Sequence, residues 1–290
     1  MSEQKTIALT DDELAFFVRV LTERTGIVPR ASHVDGIRNF IEKYLSQNKL
    51  PVEQYKNSLL TEKAVMEFFI NECTVNETYF FREEKQFMFL RDKIFPELRS
   101  KNAAGEIKMW SAACSYGEEA YSFAILAKTC GLKPVVTATD INSEVLEHCK
   151  NGLFLGTSLR AVDGVAFQNL VLPFRRDDGR VEFKDDIKNC INTRQMNLAE
   201  IDSPFSEKNL PKNQNIVFIS NVFIYFTPEM RARILRTIAQ KCLADGGLLF
   251  VSMSETAQID SSILPAELEK KMDGNIFYFQ KKSTGGKVNG

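Results

Sequence analysis

The stretch Ile107–Tyr121, IKMWSAACSYGEEAY, is followed by VVTATD, which ends at Asp140 about twenty residues later. This pattern predicts a strand, a tight loop of small residues, a helix and a second strand that ends on a carboxylate. Such a layout places an adenosine-containing cofactor across the ends of two parallel strands, with the acidic side chain on the ribose hydroxyls. The Gly-x-Gly-x-x-Gly pattern of dinucleotide-binding proteins is absent, so the segment favours S-adenosylmethionine over NAD.

The composition of the 290-residue chain is that of a soluble globular protein, with 44% hydrophobic and 26% charged residues. A net charge of -1 gives no overall field that would attract nucleic acid or a membrane. The N-terminal residues lack the layout of a signal peptide, and no apolar run is long enough for a membrane span. The six cysteines are scattered without a Cys-x-x-Cys pair, which indicates reduced thiols and no metal site. We therefore expect a cytoplasmic monomer that binds neither nucleic acid nor metal and does not insert into membranes.

The N-terminal part of the chain has helical periodicity. The pair Thr10 and Glu13 forms a capping box before an amphipathic helix, and Gly26 ends that helix. A second helix is predicted from Ser32 to about Leu45 and a third over Thr61–Asn71. We therefore expect residues 1–75 to form a small all-helical domain. Residues 76–103 should be a connecting segment with an amphipathic helix over Arg82–Arg99, broken at Pro96.

From Ile107 onward, short β-rich runs alternate with helical stretches, which indicates an α/β domain over residues 104–283 with a parallel sheet. The run NIFYFQK (Asn275–Lys281) is expected to pair antiparallel with LLFVSMSE before it. Asp178-Gly179 is a hairpin signal flanked by RVEF and IKNCIN, so we expect a small antiparallel β-subdomain at about 174–195. The Gly-rich residues 284–290 should be a flexible tail.

The glycine loop carries the first candidate site residues. Ser115 and Glu118 are spaced to cap the helix that begins there, whose terminal N–H groups would face the carboxylate end of the cofactor. Either Glu118 or Glu119 could instead contact the methionyl ammonium group, and simple capping is the alternative without a ligand. Asp140 is a candidate for the ribose hydroxyls, with a helix N-cap as the alternative.

Polar residues in apolar surroundings mark the other candidates. The pair Asn197-Leu198 could bracket an adenine, although an ordinary loop residue is the stronger interpretation in isolation. Asn221 and Tyr225 lie in the apolar run FISNVFIYF and need partners there, either in the core or at the sulfonium and the methyl acceptor. Arg82 could hold an acceptor carboxylate in a cleft, or it could pair on the surface with a neighbouring glutamate.

Five short blocks of this chain resemble, in the same order, the signature blocks of the chemotaxis receptor methyltransferases, the CheR family. They are NETYFFRE, WSAACSYGEEAYSFA, ATDIN, the pair at Asn197 and NVFIYF. The resemblance extends from TGIV at Thr25 to YFQ at Tyr278. It implies a class I S-adenosylmethionine-dependent methyltransferase fold with a small antiparallel β-subdomain, preceded by an N-terminal helical domain. It also implies methyl transfer from S-adenosylmethionine to glutamate side chains in the cytoplasmic domain of chemoreceptors, with S-adenosylhomocysteine as the product.

The resemblance assigns roles to residues that match the family blocks. It implies catalytic roles for Arg82 and Tyr225. The residues that it implies for cofactor binding are Thr78, Arg82, Ala112, Glu118, Asp140, Asn197, Leu198 and Asn221.

Two departures from the family pattern keep other functions open. The family usually has Cys-Arg-Asn where this chain has Ile219-Ser220-Asn221, so an arginine beside the acceptor is missing. The second helix, which is usually basic in the family, offers only Arg38 and Lys43. One alternative is a regulatory or scaffold protein that binds S-adenosylmethionine with little catalysis. Another is a methyltransferase for a different protein or for a small carboxylic acid.

Overall fold

A computed structural model of the protein describes residues 7–102 and 104–283, so the expected tail at 284–290 lies outside the described residues. The chain begins with four helices. They are α1 (Asp11–Thr25), α2 (Ala31–Asn48), α3 (Val52–Thr61) and α4 (Lys63–Cys73).

The first helix has the ends that its sequence predicts. The Glu13 N–H donates to the Thr10 hydroxyl, and the Thr10 N–H donates to the Glu13 carboxylate at 2.8 Å, which completes the capping box. Gly26 ends the helix with a φ of 72°. Helix α3 was not predicted, because its buried face consists of two aromatic or aliphatic residues, Tyr55 and Leu59, in an otherwise polar segment.

The helix expected over Arg82–Arg99 continues through Pro96, so the predicted break is wrong. It consists of α5 (Glu84–Phe89), a π-helical turn (Leu90–Ile94) and α6 (Phe95–Lys101). The Phe95 N–H donates to the Leu90 carbonyl, five residues back. This wider turn lies next to Pro96, where a regular helix would bring the proline ring against the carbonyl four residues earlier.

The remaining elements alternate between strands and helices. The strands are β1 (Glu106–Ala112), β2 (Lys133–Asp140), β3 (Leu153–Phe154), β4 (Val181–Glu182), β5 (Ile191–Gln195), β6 (Gln214–Phe218), β7 (Leu243–Phe250), β8 (Leu268–Asp273) and β9 (Ile276–Lys281). The helices are α7 (Glu118–Thr129), α8 (Ser143–Asn151), α9 (Gln168–Val171), α10 (Asp185–Lys188), α11 (Pro204–Asn209) and α12 (Pro228–Thr237). Helix α12 continues into a second π-helical turn, Ile238–Cys242.

Seven strands form one sheet in the order β5-β2-β1-β6-β7-β9-β8. The pairs from β5 to β7 are parallel, whereas β9 pairs antiparallel with both β7 and β8. A parallel sheet of this order with an antiparallel pair at one edge, connected by helices, is the class I methyltransferase fold. The prediction of this fold class, including the antiparallel partner of β7, is therefore confirmed.

The small β-insertion is built differently from the predicted hairpin. Strand β4, within the run RVEF, pairs antiparallel with β3, about thirty residues earlier in the chain. The run IKNCIN does not pair with it, because its last residues begin β5, which joins the edge of the main sheet parallel to β2. The Asp178-Gly179 turn is present, with the Arg176 N–H donating to the Arg180 carbonyl at 2.8 Å. An isolated antiparallel bridge joins Arg175 and Val181 across this turn, so the hairpin signal marks a real turn although IKNCIN takes no part in it. The boundary at about 174–195 stays a prediction.

The sheet separates two apolar cores. Alternate side chains of β1 point to opposite faces, so Met109 belongs to one core cluster and Trp110 to the other. A third cluster, around Phe17 and Phe69, holds the first four helices together. Within the described ranges, no helix has both the length and the apolar character needed to span a membrane.

Candidate active site

A cleft opens at the carboxyl edge of the sheet, where the chain leaves β1, β2 and β6. The strand order changes direction at β1, which lies between β2 and β6, and ligands of open α/β sheets bind at such a point. The empty space is about 960 Å³, including the part that is open to solvent. Seven of the nine predicted site residues line it, namely Thr78, Arg82, Asp140, Asn197, Leu198, Asn221 and Tyr225.

The loop after β1 has an unusual backbone. Ala113, Ser115 and Gly117 all have positive φ, with values of 67°, 51° and 105°. A Cβ atom at position 117 would lie 2.4 Å from the Cys149 sulfur, so this position requires glycine for both conformation and space. The loop therefore packs tightly against α8 while its outer side faces the cleft.

Ser115 does not cap α7, so that part of the prediction is wrong. The left-handed backbone at Ser115 turns the side chain toward the connecting segment, where its hydroxyl donates to the Asn76 carbonyl at 2.9 Å. The Ser115 N–H donates to Oδ2 of Asp140 at 2.8 Å. The loop is thus held between the connecting segment and the end of β2.

Asp140 is buried at the end of β2 and accepts hydrogen bonds from backbone groups. Oδ2 accepts from the Ser115 N–H, and Oδ1 accepts from the Asn142 N–H at 3.0 Å. Burial raises the pKa of this carboxyl, and the bonds from Asn142 and Ser115 oppose that rise. The N-cap of α8 is Asn142, so the alternative of Asp140 as the cap is wrong. A backbone hydrogen bond from Ile141 also opposes the rise in the pKa, and the carboxylate keeps part of its acceptor capacity for a further donor.

The two glutamates at the start of α7 have different environments. Glu118 is buried away from the cleft, where Oε1 accepts from the Ser158 hydroxyl at 2.7 Å. Glu119 lines the cleft and accepts from the Ser111 hydroxyl at 2.5 Å. Burial raises the pKa of Glu119 to about 7, opposed by the Ser111 hydrogen bond and by the charge of Arg82. The structure therefore favours Glu119 over Glu118 as the cleft carboxylate.

At the end of β1, too, the residue that lines the cleft is the one after the predicted residue, Ala112. It is buried at the end of β1 and does not line the cleft, whereas the following Ala113 does. The cofactor roles of Ala112 and Glu118, which the resemblance implies, remain predictions that the placement of the side chains does not favour.

Asn197 and Leu198 line the cleft at the end of a loop that touches the first helices. Oδ1 of Asn197 accepts from the Ala199 N–H at 3.0 Å, and Nδ2 donates to the Arg24 carbonyl at 2.8 Å. Asn197 therefore has the structural role that the ordinary-loop interpretation requires. Its amide still has one N–H and one lone pair for a ligand.

Arg82 and Asn221 meet across the cleft. Nη2 of Arg82 donates to Oδ1 of Asn221 at 3.1 Å, and Nη1 donates to the Glu77 carbonyl at 2.7 Å. Within the described part of the chain Arg82 forms no ion pair, so the alternative of surface pairing with Glu83 or Glu84 is wrong. The guanidinium carbon also lies 5.5 Å from the centre of the Tyr79 ring.

Tyr225 lies on the helical side of the cleft. Its ring packs edge-on against the His33 ring of α2, with 5.9 Å between the ring centres. Burial raises the pKa of Tyr225, and the charges of Arg30 and Arg82 act against that rise. The hydroxyl therefore stays protonated at neutral pH.

Two features of the site were missed from the sequence. The first helices contribute Thr25, Ile27 and His33 to the cleft, and the TGIV block at Thr25 was the signal that could have indicated this. Nε2 of His33 lies 2.6 Å from the Cys73 carbonyl. The other feature is Glu255, a buried carboxylate that accepts from the Asn221 N–H and that no sequence motif indicates.

Residues 76–269 match the family described as CheR methyltransferase, SAM binding domain. The chain belongs to the CheR methyltransferase family. It is 32% identical over 267 residues to Chemotaxis protein methyltransferase 1 of Vibrio cholerae, covering 86% of this chain and 91% of that protein. It is 33% identical over 272 residues to the Chemotaxis protein methyltransferase of Vibrio parahaemolyticus, covering 86% and 91%. The corresponding protein of Escherichia coli is 31% identical over 260 residues, covering 86% of each.

The cofactor of this CheR family member is S-adenosylmethionine, and the cleft fits that molecule. It offers a buried carboxylate with acceptor capacity to spare, Asp140, and a second carboxylate, Glu119, at the start of a helix. The hydroxyl of Ser220, which also lines the cleft, is buried without a partner in the described structure and can bond to a ligand. Hydroxyl, ammonium and carboxylate groups of the cofactor thus have matching protein groups.

Proposed function

We propose that this CheR family member transfers a methyl group from S-adenosylmethionine to glutamate side chains in the cytoplasmic domain of chemoreceptors, as part of chemotaxis adaptation. The names of the relatives support this proposal, since each of them is called a chemotaxis protein methyltransferase. We further propose that the protein acts as a monomer in the cytoplasm, where such receptor domains lie.

The cofactor would lie across the carboxyl ends of β1 and β2. Asp140 would accept a hydrogen bond from a ribose hydroxyl through its remaining acceptor capacity. Asn197 and Leu198 would bracket the adenine, and Thr78 would contact the methionyl end. Glu119 would pair with the methionyl ammonium, because it is the glutamate of the loop that lines the cleft.

Arg82 is the residue that we propose binds the methyl acceptor. Its guanidinium lines the cleft and is oriented by two neutral oxygens, on Glu77 and Asn221, so its charge is not neutralised by an ion pair in the described structure. An arginine held in this way can bind an incoming carboxylate through charge-assisted hydrogen bonds. A glutamate side chain of a receptor is such a carboxylate.

The reaction requires little acid–base chemistry. When bound, S-adenosylmethionine supplies a methyl group on a sulfonium sulfur that a carboxylate oxygen can attack. A glutamate side chain has a pKa of about 4.3 and is already ionised at neutral pH, so no general base is needed. The tasks left for Arg82, Asn221 and Tyr225 are to orient the acceptor and to exclude water from it.

A radioactive transfer experiment tests the proposal. The purified protein would be incubated with methyl-labelled S-adenosylmethionine and the signalling domains of receptors from its own source. We expect labelled receptor that releases volatile methanol on treatment with alkali, as methyl esters do. If cofactor binds but no receptor domain acquires alkali-labile label, the acceptor is a different molecule or the protein is the non-catalytic binder that the sequence left open.

A further inference from the structure

The turn that follows β7, residues 251–255, contacts the segment that carries Arg82. Nε2 of the buried Gln86 donates to the Val251 carbonyl at 2.7 Å. The Met253 N–H donates to the Glu83 carboxylate at 3.4 Å. These bonds attach the start of α5, directly after Arg82, to the end of β7.

The same turn holds the opposite side of the cleft through the carboxylate of Glu255, which is 0% exposed. Oε2 accepts from the Asn221 N–H at 2.7 Å, from the Ser252 N–H at 3.2 Å and from the Ser252 hydroxyl at 2.8 Å. Oε1 accepts from the Ile224 N–H at 3.2 Å. One side chain therefore joins the 221–225 loop to the turn after β7.

Asn221 has a left-handed backbone, with a φ of 60°. Asparagine is one of the few non-glycine residues that adopt this conformation readily, and the hydrogen bond to Glu255 holds it in place here. The bond to Glu255 fixes the Asn221 N–H, and this conformation directs Oδ1 of Asn221 to Nη2 of Arg82 at 3.1 Å.

We propose that Glu255 is a positioning residue for methyl transfer, which acts through Asn221 to fix the Arg82 guanidinium at the acceptor side of the cleft. This inference rests on the proposed function for its kinetic consequence. It does not place Glu255 in contact with cofactor or acceptor, since Glu255 does not line the cleft.

The variant Glu255→Gln tests the inference, because it has nearly the same shape. The amide can accept with its oxygen but must place an NH₂ group beside N–H donors, so the 221–225 loop shifts. We expect kcat for receptor methylation to fall by roughly 10- to 100-fold, as for a small misplacement of catalytic groups. The Kd for S-adenosylhomocysteine should change by less than about threefold, since the residues proposed to bind its ribose, ammonium and adenine groups lie outside the 221–225 loop.

The matched control is Glu42→Gln, in which a glutamate that accepts from the Leu9 N–H at 2.9 Å and lies 3.8 Å from Arg38 loses its charge; Glu42 does not line the cleft. Both variants should lower the melting temperature, whereas only Glu255→Gln should lower kcat when both are assayed well below melting. In a double-mutant cycle, Asn221→Ala should cost little further activity in the Glu255→Gln background. Additive losses, or wild-type kcat in folded Glu255→Gln, would overturn the inference.

A second readout separates failure of this inference from failure of the proposed function. In protein labelled with ¹⁵N-arginine, the side-chain signal of Arg82 is identified by its loss in Arg82→Lys. That signal should move in Glu255→Gln and stay in place in Glu42→Gln, whether or not any receptor is methylated. An unmoved Arg82 signal in Glu255→Gln would contradict the positioning role even if the wild-type protein proves to be an active methyltransferase.

Discussion

Replacing Asp140 with alanine should weaken cofactor binding by a defined amount. The carboxylate has two oxygens, and each already accepts from one backbone N–H, of Ser115 or Asn142. The remaining acceptor capacity is proposed to receive one ribose hydroxyl. Losing a hydrogen bond to a charged group costs about 1.5–3 kcal/mol. We therefore expect the Kd for S-adenosylhomocysteine to rise by about 10- to 150-fold.

Isothermal titration calorimetry with S-adenosylhomocysteine measures this effect directly. The substitution also leaves the N–H groups of Ser115 and Asn142 without acceptors, at a cost of about 1–3 kcal/mol of stability each, so folding must be checked by thermal melting. The matched control is Asp163→Asn, because Asp163 also accepts backbone N–H groups, of Glu83 and Glu84, but does not line the cleft.

The variant Asp140→Asn refines the test. It keeps one oxygen acceptor and removes the charge, so its Kd should lie between those of the wild type and Asp140→Ala. Unchanged affinity in a folded Asp140→Ala protein would refute the assignment of this carboxylate to the ribose, and with it the reasoning from its remaining acceptor capacity.

Three further outcomes are expected. Arg82→Ala should reduce methyl transfer by at least roughly tenfold, because the guanidinium is proposed to bind the acceptor. Cofactor affinity should fall less than in Asp140→Ala. Steady-state kinetics together with calorimetry would measure both effects, and retained turnover would show that Arg82 does not bind the acceptor. Burial raises the pKa of Glu119 from an ordinary 4.5 to about 7, so folding takes up a proton between these values and the stability owed to this group is lost as pH rises through 7. The melting temperature of Glu119→Gln relative to wild type should therefore increase from pH 5 to pH 8, and a constant difference would argue against the raised pKa. Gly117→Ala should destabilise the protein by at least about 1–3 kcal/mol. The reason is that a Cβ at this position would lie 2.4 Å from the Cys149 sulfur, on a backbone with a φ of 105°. Denaturant unfolding measures the change in stability, and wild-type stability would contradict the tight packing of the loop.

The strand–loop–helix–strand unit was predictable because every part of it has a local signal. Helix α7 begins at Glu118, directly after the glycine loop as the pattern predicts, and β2 ends at Asp140 as expected. The β-insertion was not predictable in the same way. Strand β4 has two residues, too few for a periodic pattern, and its partner β3 lies far back in the sequence. Long-range pairing of such short strands depends on tertiary packing.

In the site, too, features with a local sequence signal could be predicted, whereas features that depend on long-range contacts could not. The motif blocks indicated Asp140, Arg82 and Asn221 as site residues, and all three line the same cleft. Which glutamate of the Glu118-Glu119 pair faces the cleft depends on helix rotation, which adjacent positions in a motif do not reveal. Glu255 was invisible because its partners are mainly backbone N–H groups, which leave no trace in the identity of the side chains around it.

The most direct test of the central claim is to locate the transferred methyl group on the acceptor. Receptor signalling domains incubated with the protein and S-adenosylmethionine would be digested and sequenced by tandem mass spectrometry. We expect the mass of one added methyl group on glutamate side chains with the wild-type protein, and at least roughly tenfold less of the methylated peptides with Arg82→Ala. Methylation on any other kind of side chain, or no methylated receptor peptide with protein that binds the cofactor, would contradict the account.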